Sequence, residues 1–212
     1  MRRYLALGDS YTIGESVDAS ERWPVQLTAA MRDAGVSMAD PMIVARTGWT
    51  TAELLAAIDS MTPPLERDYD FVTLLIGVND QYRGLTGSVF REGFLKLLSR
   101  AVNFVGGDAP CLIVVSIPDW SVTPFARSDP RGVTVIAAEI DAFNDIARET
   151  TREAGGHFVD ITADSRRAAG DRSLLAADGL HPSREMYELW AQAILPVALH
   201  SLNSAPARLD HE

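Results

Sequence analysis

A chain of 212 residues, 47% hydrophobic and 23% charged, has the length of one domain and the composition of a soluble globular protein. Its formal net charge of −10 argues against nucleic acid as a partner and leaves no basic face for anionic lipid. One cysteine, Cys111, excludes an intramolecular disulfide, and no apolar run approaches the ~18 residues of a membrane span.

Met1-Arg2-Arg3 leads directly into a short apolar run, Tyr4-Leu5-Ala6-Leu7, that reads as a buried strand. With no apolar leader region ahead of that strand, a cytoplasmic protein is expected. Gly8-Asp9-Ser10-Tyr11 follows, then Thr12, Gly14, Glu15 and Ser16, small and polar residues that suit a tight turn opening a helix. A serine at such a junction either caps the helix or presents an exposed hydroxyl and a backbone N–H to an anion. Glu21 to Gly35 reads as a helix, with Pro24 in its first turn and Trp23, Leu27, Ala30 and Met31 on one face. Pro41 to Ala45 is a second strand, and Arg46 to Thr50 a loop. Thr50 or Thr51 caps a helix through Met61, striped by Leu54, Leu55 and Ile58 and broken by Pro63-Pro64.

The strongest strand signal is Asp70 to Gly77, nearly continuous in apolar residues, as a strand covered on both faces should be. Val78 to Gly84 reads as the loop after it, and Ser88 to Val105 as a helix ended by Gly106-Gly107. Cys111 to Ser116 is the fourth strand, which makes Cys111 a buried core thiol. Ile117 to Gly132 is a long loop with Trp120 in it, and a loop of that length inside a compact domain is often functional. Val133 to Ala154 is a helix with Ile136, Ile140, Phe143, Ile146 and Ala147 inward. His157 to Ile161 is the fifth strand, and Arg166 to Asp178 is loop or short helix. Ser183 to Leu202 is a last helix, broken or kinked at Pro196. A single domain over 1–203 and a frayed tail over 204–212 are expected.

Strand and helix thus alternate five times. That pattern predicts an α/β fold, a three-layer α/β/α sandwich around a doubly wound five-stranded parallel sheet. Ligands in such sheets bind beyond the C-terminal ends of the strands, so the loops after each strand should share one edge. Those loops carry Asp9 and Ser10, then Gly48, then Asn79, and finally Asp178-Gly179-Leu180-His181. A serine hydroxyl needs a base to take its proton, and His181 can be that base. The other ring nitrogen needs an acceptor, which Asp178 is near enough to supply. An oxyanion needs donors in place, for which the Ser10 N–H, the Gly48 N–H and the Asn79 amide are candidates. Gly48 suits that role because a residue without Cβ lets the backbone approach a ligand.

Four blocks, Gly8-Asp9-Ser10, Gly48, Gly77-Val78-Asn79-Asp80 and Asp178-Gly179-Leu180-His181-Pro182, resemble those of the SGNH hydrolases, the GDSL esterase and lipase family. They occur in family order across nearly the whole chain. The resemblance implies a flavodoxin-like SGNH hydrolase fold and a serine esterase. In it Ser10 is the nucleophile, His181 the base and Asp178 its partner, with an oxyanion hole from Ser10, Gly48 and Asn79. A small-molecule ester is the substrate it implies, and no cofactor is expected; short acyl chains are expected because no long apolar stretch outside the core suggests a lipid-binding lid or channel. Tyr11 stands where the four-letter motif has leucine, a position that is not catalytic. Asp9 is read as a support for neighbouring loops and not as the triad acid.

Trp49, Tyr82 and Trp120 either wall a substrate pocket or pack against the core. His157, His200 and His211 form no evident metal cluster. Gly8 to Gly14 lacks the dinucleotide spacing, no P-loop lysine follows, and the G-x-S-x-G elbow of ordinary α/β-hydrolases is absent. Two alternatives stand beside the esterase: an acyltransferase using the same acyl-enzyme, and a ligand-binding module that keeps the fold without turnover. Product analysis with added alcohols separates the first, and labelling by an organophosphonate separates the second.

Overall fold

A computed structural model describes residues 1–204. The expected tail lies outside them except for Ser204, the last residue of the final helix. Five strands, β1 (Tyr4–Gly8), β2 (Met42–Ala45), β3 (Phe71–Leu75), β4 (Leu112–Val115) and β5 (His157–Val159), form one parallel sheet in the order β2-β1-β3-β4-β5. Every residue of β1, β3 and β4 is buried, which is why these strands read as unbroken apolar runs. β2 at the edge is only partly covered.

The helices are α1 (Ser10–Ile13), α2 (Trp23–Asp33), α3 (Thr51–Ser60), α4 (Val78–Tyr82), α5 (Gly87–Phe104), α6 (Val133–Glu153), α7 (Thr162–Arg166) and α8 (Arg184–Ser204). They cover both faces of the sheet in an α/β/α sandwich. α2 packs on α8, and α5 packs against α3 and α6. Trp23, Leu27 and Met31 of α2 meet the core beside Tyr187, Trp190 and Ile194 of α8. Phe90, Phe94 and Leu97 of α5 and Ile136, Ile140 and Phe143 of α6 are likewise buried.

Several boundaries differ from the sequence reading. The third strand ends at Leu75, and Val78 to Tyr82 is a five-residue helix where a loop was expected. Ile117 to Gly132 holds two 3-10 turns, Trp120–Val122 and Phe125–Ser128. The last helix is not broken at Pro196 but runs through it to Ser204. Trp190, Ile194, Ala198 and Leu202 are buried on either side of the proline, and their packing offsets the lost backbone bond. No helix of the described residues is long and apolar enough to cross a membrane.

The strand order reverses between β1 and β3, and a crevice opens beyond their C-terminal ends. Gly8 closes β1 opposite Leu75. A Cβ at Gly8 would sit 2.2 Å from Thr12 Oγ1 and 2.5 Å from the Leu75 carbonyl oxygen, so only glycine lets the chain turn into α1 this close to β3.

Candidate active site

Ser10 is the first residue of α1, placed at the crevice by the turn after Gly8. Asp9 caps the helix, its Oδ1 accepting from the Tyr11 N–H at 3.0 Å. Asp9 is fully buried. Burial pushes its carboxyl up to about 8, against the Tyr11 N–H that favours the charged form and with the nearby Asp80 charge adding to the rise. Asp9 is therefore a neutral acid at neutral pH. It was expected to brace neighbouring loops, but its side-chain bond is to Tyr11 in its own turn.

Asp178 and His181 lie in the turn before α8. Asp178 Oδ1 accepts from the backbone N–H groups of Leu180 and His181, each at 2.9 Å, which locks the turn. Its Oδ2 lies 2.6 Å from His181 Nδ1 and also accepts from the Ser16 hydroxyl at 2.8 Å. Partial burial raises the carboxyl's pKa, but the hydrogen bonds from His181, Leu180 and Ser16 outweigh it and pull the group to about 2. His181 is 8% exposed, with the Tyr11 ring centroid 5.4 Å from its own. An imidazole whose Nδ1 faces a carboxylate leaves Nε2 for another partner.

Gly48 sits in the loop between β2 and α3 with φ +87°, a left-handed conformation that disfavours any side chain. Thr50 caps α3 by a reciprocal box with Glu53, so the cap falls on Thr50 and not Thr51. α4 grips this loop. Asn79 Nδ2 donates to the Trp49 carbonyl at 2.9 Å, which leaves the second amide N–H of Asn79 for another acceptor. Asp80 accepts from the Thr51 N–H and hydroxyl at 2.9 and 2.6 Å.

An open cavity of about 160 Å³ brings these elements together. Ser10, Gly48, Asn79 and His181 line it, with Tyr11, Thr47, Val78, Tyr82, Trp120, Phe125 and Leu180 as the remaining wall. Asp178 stands behind His181, outside the lining. Tyr82, Trp120 and Phe125 pack edge-on or tilted at 5.6–6.1 Å between centroids. Trp120 Nε1 donates to Gln81 Oε1 at 2.9 Å, so its ring is held. Of the two readings of Trp49, pocket wall or core packing, the structure has the second: its ring is absent from the cavity lining and packs partly buried against the core, and it meets Asn79 through its carbonyl.

The sequence reading missed Ser16, whose φ of 66° is rare for a side-chain-bearing residue, as well as Phe125, Leu180 and Arg83. Leu180 adjoins His181 and Arg83 follows Asn79 by four residues, whereas Phe125 reaches the site through topology alone. Among the described residues no group of histidine, cysteine or carboxylate side chains is placed to hold a metal ion. The rings of His157 and His200 meet edge-on at 6.1 Å between centroids.

A family model described as GDSL-like Lipase/Acylhydrolase matches residues 6–189. Among solved structures, a lipase/acylhydrolase from Enterococcus faecalis is 23% identical, with 99% of this chain and 100% of that one covered and a TM-score of 0.71. Axe2, an acetylxylan esterase from Geobacillus stearothermophilus, is 18% identical over 93% of this chain and 94% of its own, with a TM-score of 0.70. The psychrotrophic esterase EstA from a Pseudoalteromonas species is 17% identical over 96% and 100%, also at 0.70. At these identities the likeness concerns the fold. No curated protein matches the chain.

Proposed function

The chain belongs to the GDSL-like lipase/acylhydrolase family, and on that footing we propose that it is a serine esterase that cleaves carboxylic esters of short acyl chains through an acyl-enzyme on Ser10. The observation that carries this reading is the shared cavity. Ser10, Gly48, Asn79 and His181 all open into it, and His181 is backed by a carboxylate at 2.6 Å.

In this reading the Ser10 hydroxyl attacks the ester carbonyl as His181 Nε2 takes its proton. Asp178 holds the Nδ1–H tautomer and stabilises the imidazolium that forms. The carbonyl oxygen, now negative, receives the N–H groups of Ser10 and Gly48 and the free amide N–H of Asn79. The alcohol leaves with the proton from His181. Water then attacks the acyl-enzyme, with His181 as base, and carboxylate is released. Arginine side chains do not line the cavity, which fits a neutral ester better than a substrate with an anionic acyl group.

A panel of chromogenic esters of rising acyl length, run on wild type and Ser10→Ala together, tests the reading. Wild type should turn over the short esters, and Ser10→Ala should lose several orders of magnitude while unfolding at the same temperature. Near-wild-type turnover by pure Ser10→Ala would sink the assignment.

A further inference from the structure

We propose that Arg83 is a positioning residue for the oxyanion hole: it holds the Gly48 carbonyl and so aims the Gly48 N–H into the cavity. The inference rests on the reading of Gly48 as an oxyanion donor. Arg83 caps the C-terminal end of α4, four residues after Asn79. That spacing puts both side chains on one helical face, against the same loop. Arg83 Nη2 donates to the Gly48 carbonyl oxygen at 2.6 Å, and Nη1 donates to Glu53 Oε1 at 3.2 Å. Glu53 Oε2 in turn accepts from the Thr50 N–H at 2.9 Å and its hydroxyl at 3.0 Å. Asn79 takes the Trp49 carbonyl, and Asp80 takes Thr51. Every residue from Gly48 to Thr51 is thus tied to residues 79–83, directly or through Glu53.

Gly48 depends on this tie more than its neighbours do. At φ +87° it has the widest conformational freedom in the loop. No wall confines it either, because a Cβ there would meet only Arg83 Nη2, at 4.0 Å. Sterics therefore do not set its conformation: the peptide after Gly48 is held by the Trp49 N–H on the Arg46 carbonyl at 3.2 Å and by Arg83 on the Gly48 carbonyl, and the Gly48 N–H, in the preceding peptide, keeps its aim only while that plane is fixed. A guanidinium is suited to the task, since its planar fork engages the carbonyl and Glu53 together. The Arg83 side chain is 47% exposed and does not line the cavity, so it acts through Gly48 and not on the substrate.

The test is steady-state kinetics on a chromogenic acetyl ester for wild type, Arg83→Ala and Arg83→Lys, with thermal unfolding of each. Arg91→Ala serves as the control, since Arg91 makes a comparable half-exposed ion pair with Glu153. Arg83→Ala should lower kcat ~10-fold with KM within about twofold, because the donor is misaimed rather than removed. Arg83→Lys should recover part of kcat, since an ammonium donates to the carbonyl without the fork. Arg91→Ala should match wild type. The proposal is overturned if Arg83→Ala keeps wild-type kcat, if only KM rises, or if a kcat loss follows a fall in unfolding temperature and lysine recovers none of it. Ser10→Ala and Asn79→Ala in the same assay separate the levels. If both lose kcat and Arg83→Ala does not, the positioning role fails and the esterase reading stands. If Ser10→Ala keeps kcat, the esterase reading fails and takes the role of Gly48 with it.

Discussion

Asp178 Oδ2 lies 2.6 Å from Nδ1 of His181 and accepts from the Ser16 hydroxyl as well, while Oδ1 of the same carboxylate takes two backbone N–H groups. Every lone-pair direction facing the protein is used. The carboxylate is thereby fixed in place and kept ionised, which is what a partner for an imidazolium requires.

The first prediction concerns that carboxylate. With its pKa lowered to about 2, Asp178 contributes stability above its ordinary value of 3.8, and that contribution fades as pH falls toward 2. Asp178→Asn should therefore flatten the loss of unfolding temperature below pH 4. It should also lower kcat by ~10⁴, because an amide N–H facing Nδ1 favours the wrong tautomer of His181. Kinetics at neutral pH and thermal scans at falling pH check both halves.

Asp9 has the opposite sign. Its folded pKa of about 8 lies above the ordinary 3.8, so its contribution is full below pH 3.8 and is lost as pH rises through 8. Asp9→Asn keeps an oxygen for the Tyr11 N–H and cannot ionise. The variant should gain unfolding temperature relative to wild type as pH is raised from 5 to above 8. Parallel pH trends for the two proteins would show that Asp9 is not a buried neutral acid.

What the sequence made legible were features written in short local stretches. Apolar runs ending in Gly8-Asp9-Ser10 and in Gly77-Val78-Asn79 mark strands that stop at a polar edge, and Asp178 to His181 is a compact turn. α4 was not legible, because five residues are too few for helical periodicity to show. At Pro196 the local proline rule allows a break or a kink, and the break is ruled out by the tertiary burial of Trp190 and Leu202 that keeps α8 continuous. Phe125 reaches the site only because the sheet order brings its loop to the shared edge, whereas Ser16 and Arg83 lie in the same stretches as Ser10 and Asn79 but carry no residue type or spacing that marks them. Trp49 stood in the right loop, but alternation within a loop does not say whether ring or carbonyl faces a cavity.

The aromatic wall sets the chain-length prediction. A cavity of about 160 Å³, closed by Tyr82, Trp120 and Phe125, has room for a short acyl group. Methylenes beyond the wall stay in water and forgo the ~0.8 kcal/mol each that burial provides. Wild type should prefer acetyl or butyryl over dodecanoyl esters. Trp120 is buried and tied to Gln81, whereas Tyr82 is 47% exposed. Tyr82→Ala should thus open the cavity at little cost in stability and raise kcat/KM for octanoyl relative to acetyl esters. Faster wild-type turnover of dodecanoyl than of acetyl or butyryl esters would refute the assignment of this wall.

The last prediction concerns Asn79. One N–H of its amide is committed to the Trp49 carbonyl at 2.9 Å, and the side chain lines the cavity beside Ser10 and Gly48. The second N–H is free to meet an oxyanion, an interaction that strengthens as negative charge develops. Removing one such donor costs about 10²–10³ in kcat, or ~3–4 kcal/mol. Asn79→Ala should therefore lower kcat by that factor and change KM little, the signature of a bond made in the transition state. Asn79→Asp is nearly isosteric and should be at least as damaging. An ionised carboxylate donates nothing, repels the developing oxyanion, and also faces the Trp49 carbonyl with like partial charge. A bracing role alone predicts a different pattern, in which both variants lose unfolding temperature through the bond to Trp49 while kcat holds. Kinetics on a slow ester, where chemistry limits, paired with thermal scans, decide between them: wild-type kcat in Asn79→Ala removes the oxyanion role even if Ser10 remains the nucleophile.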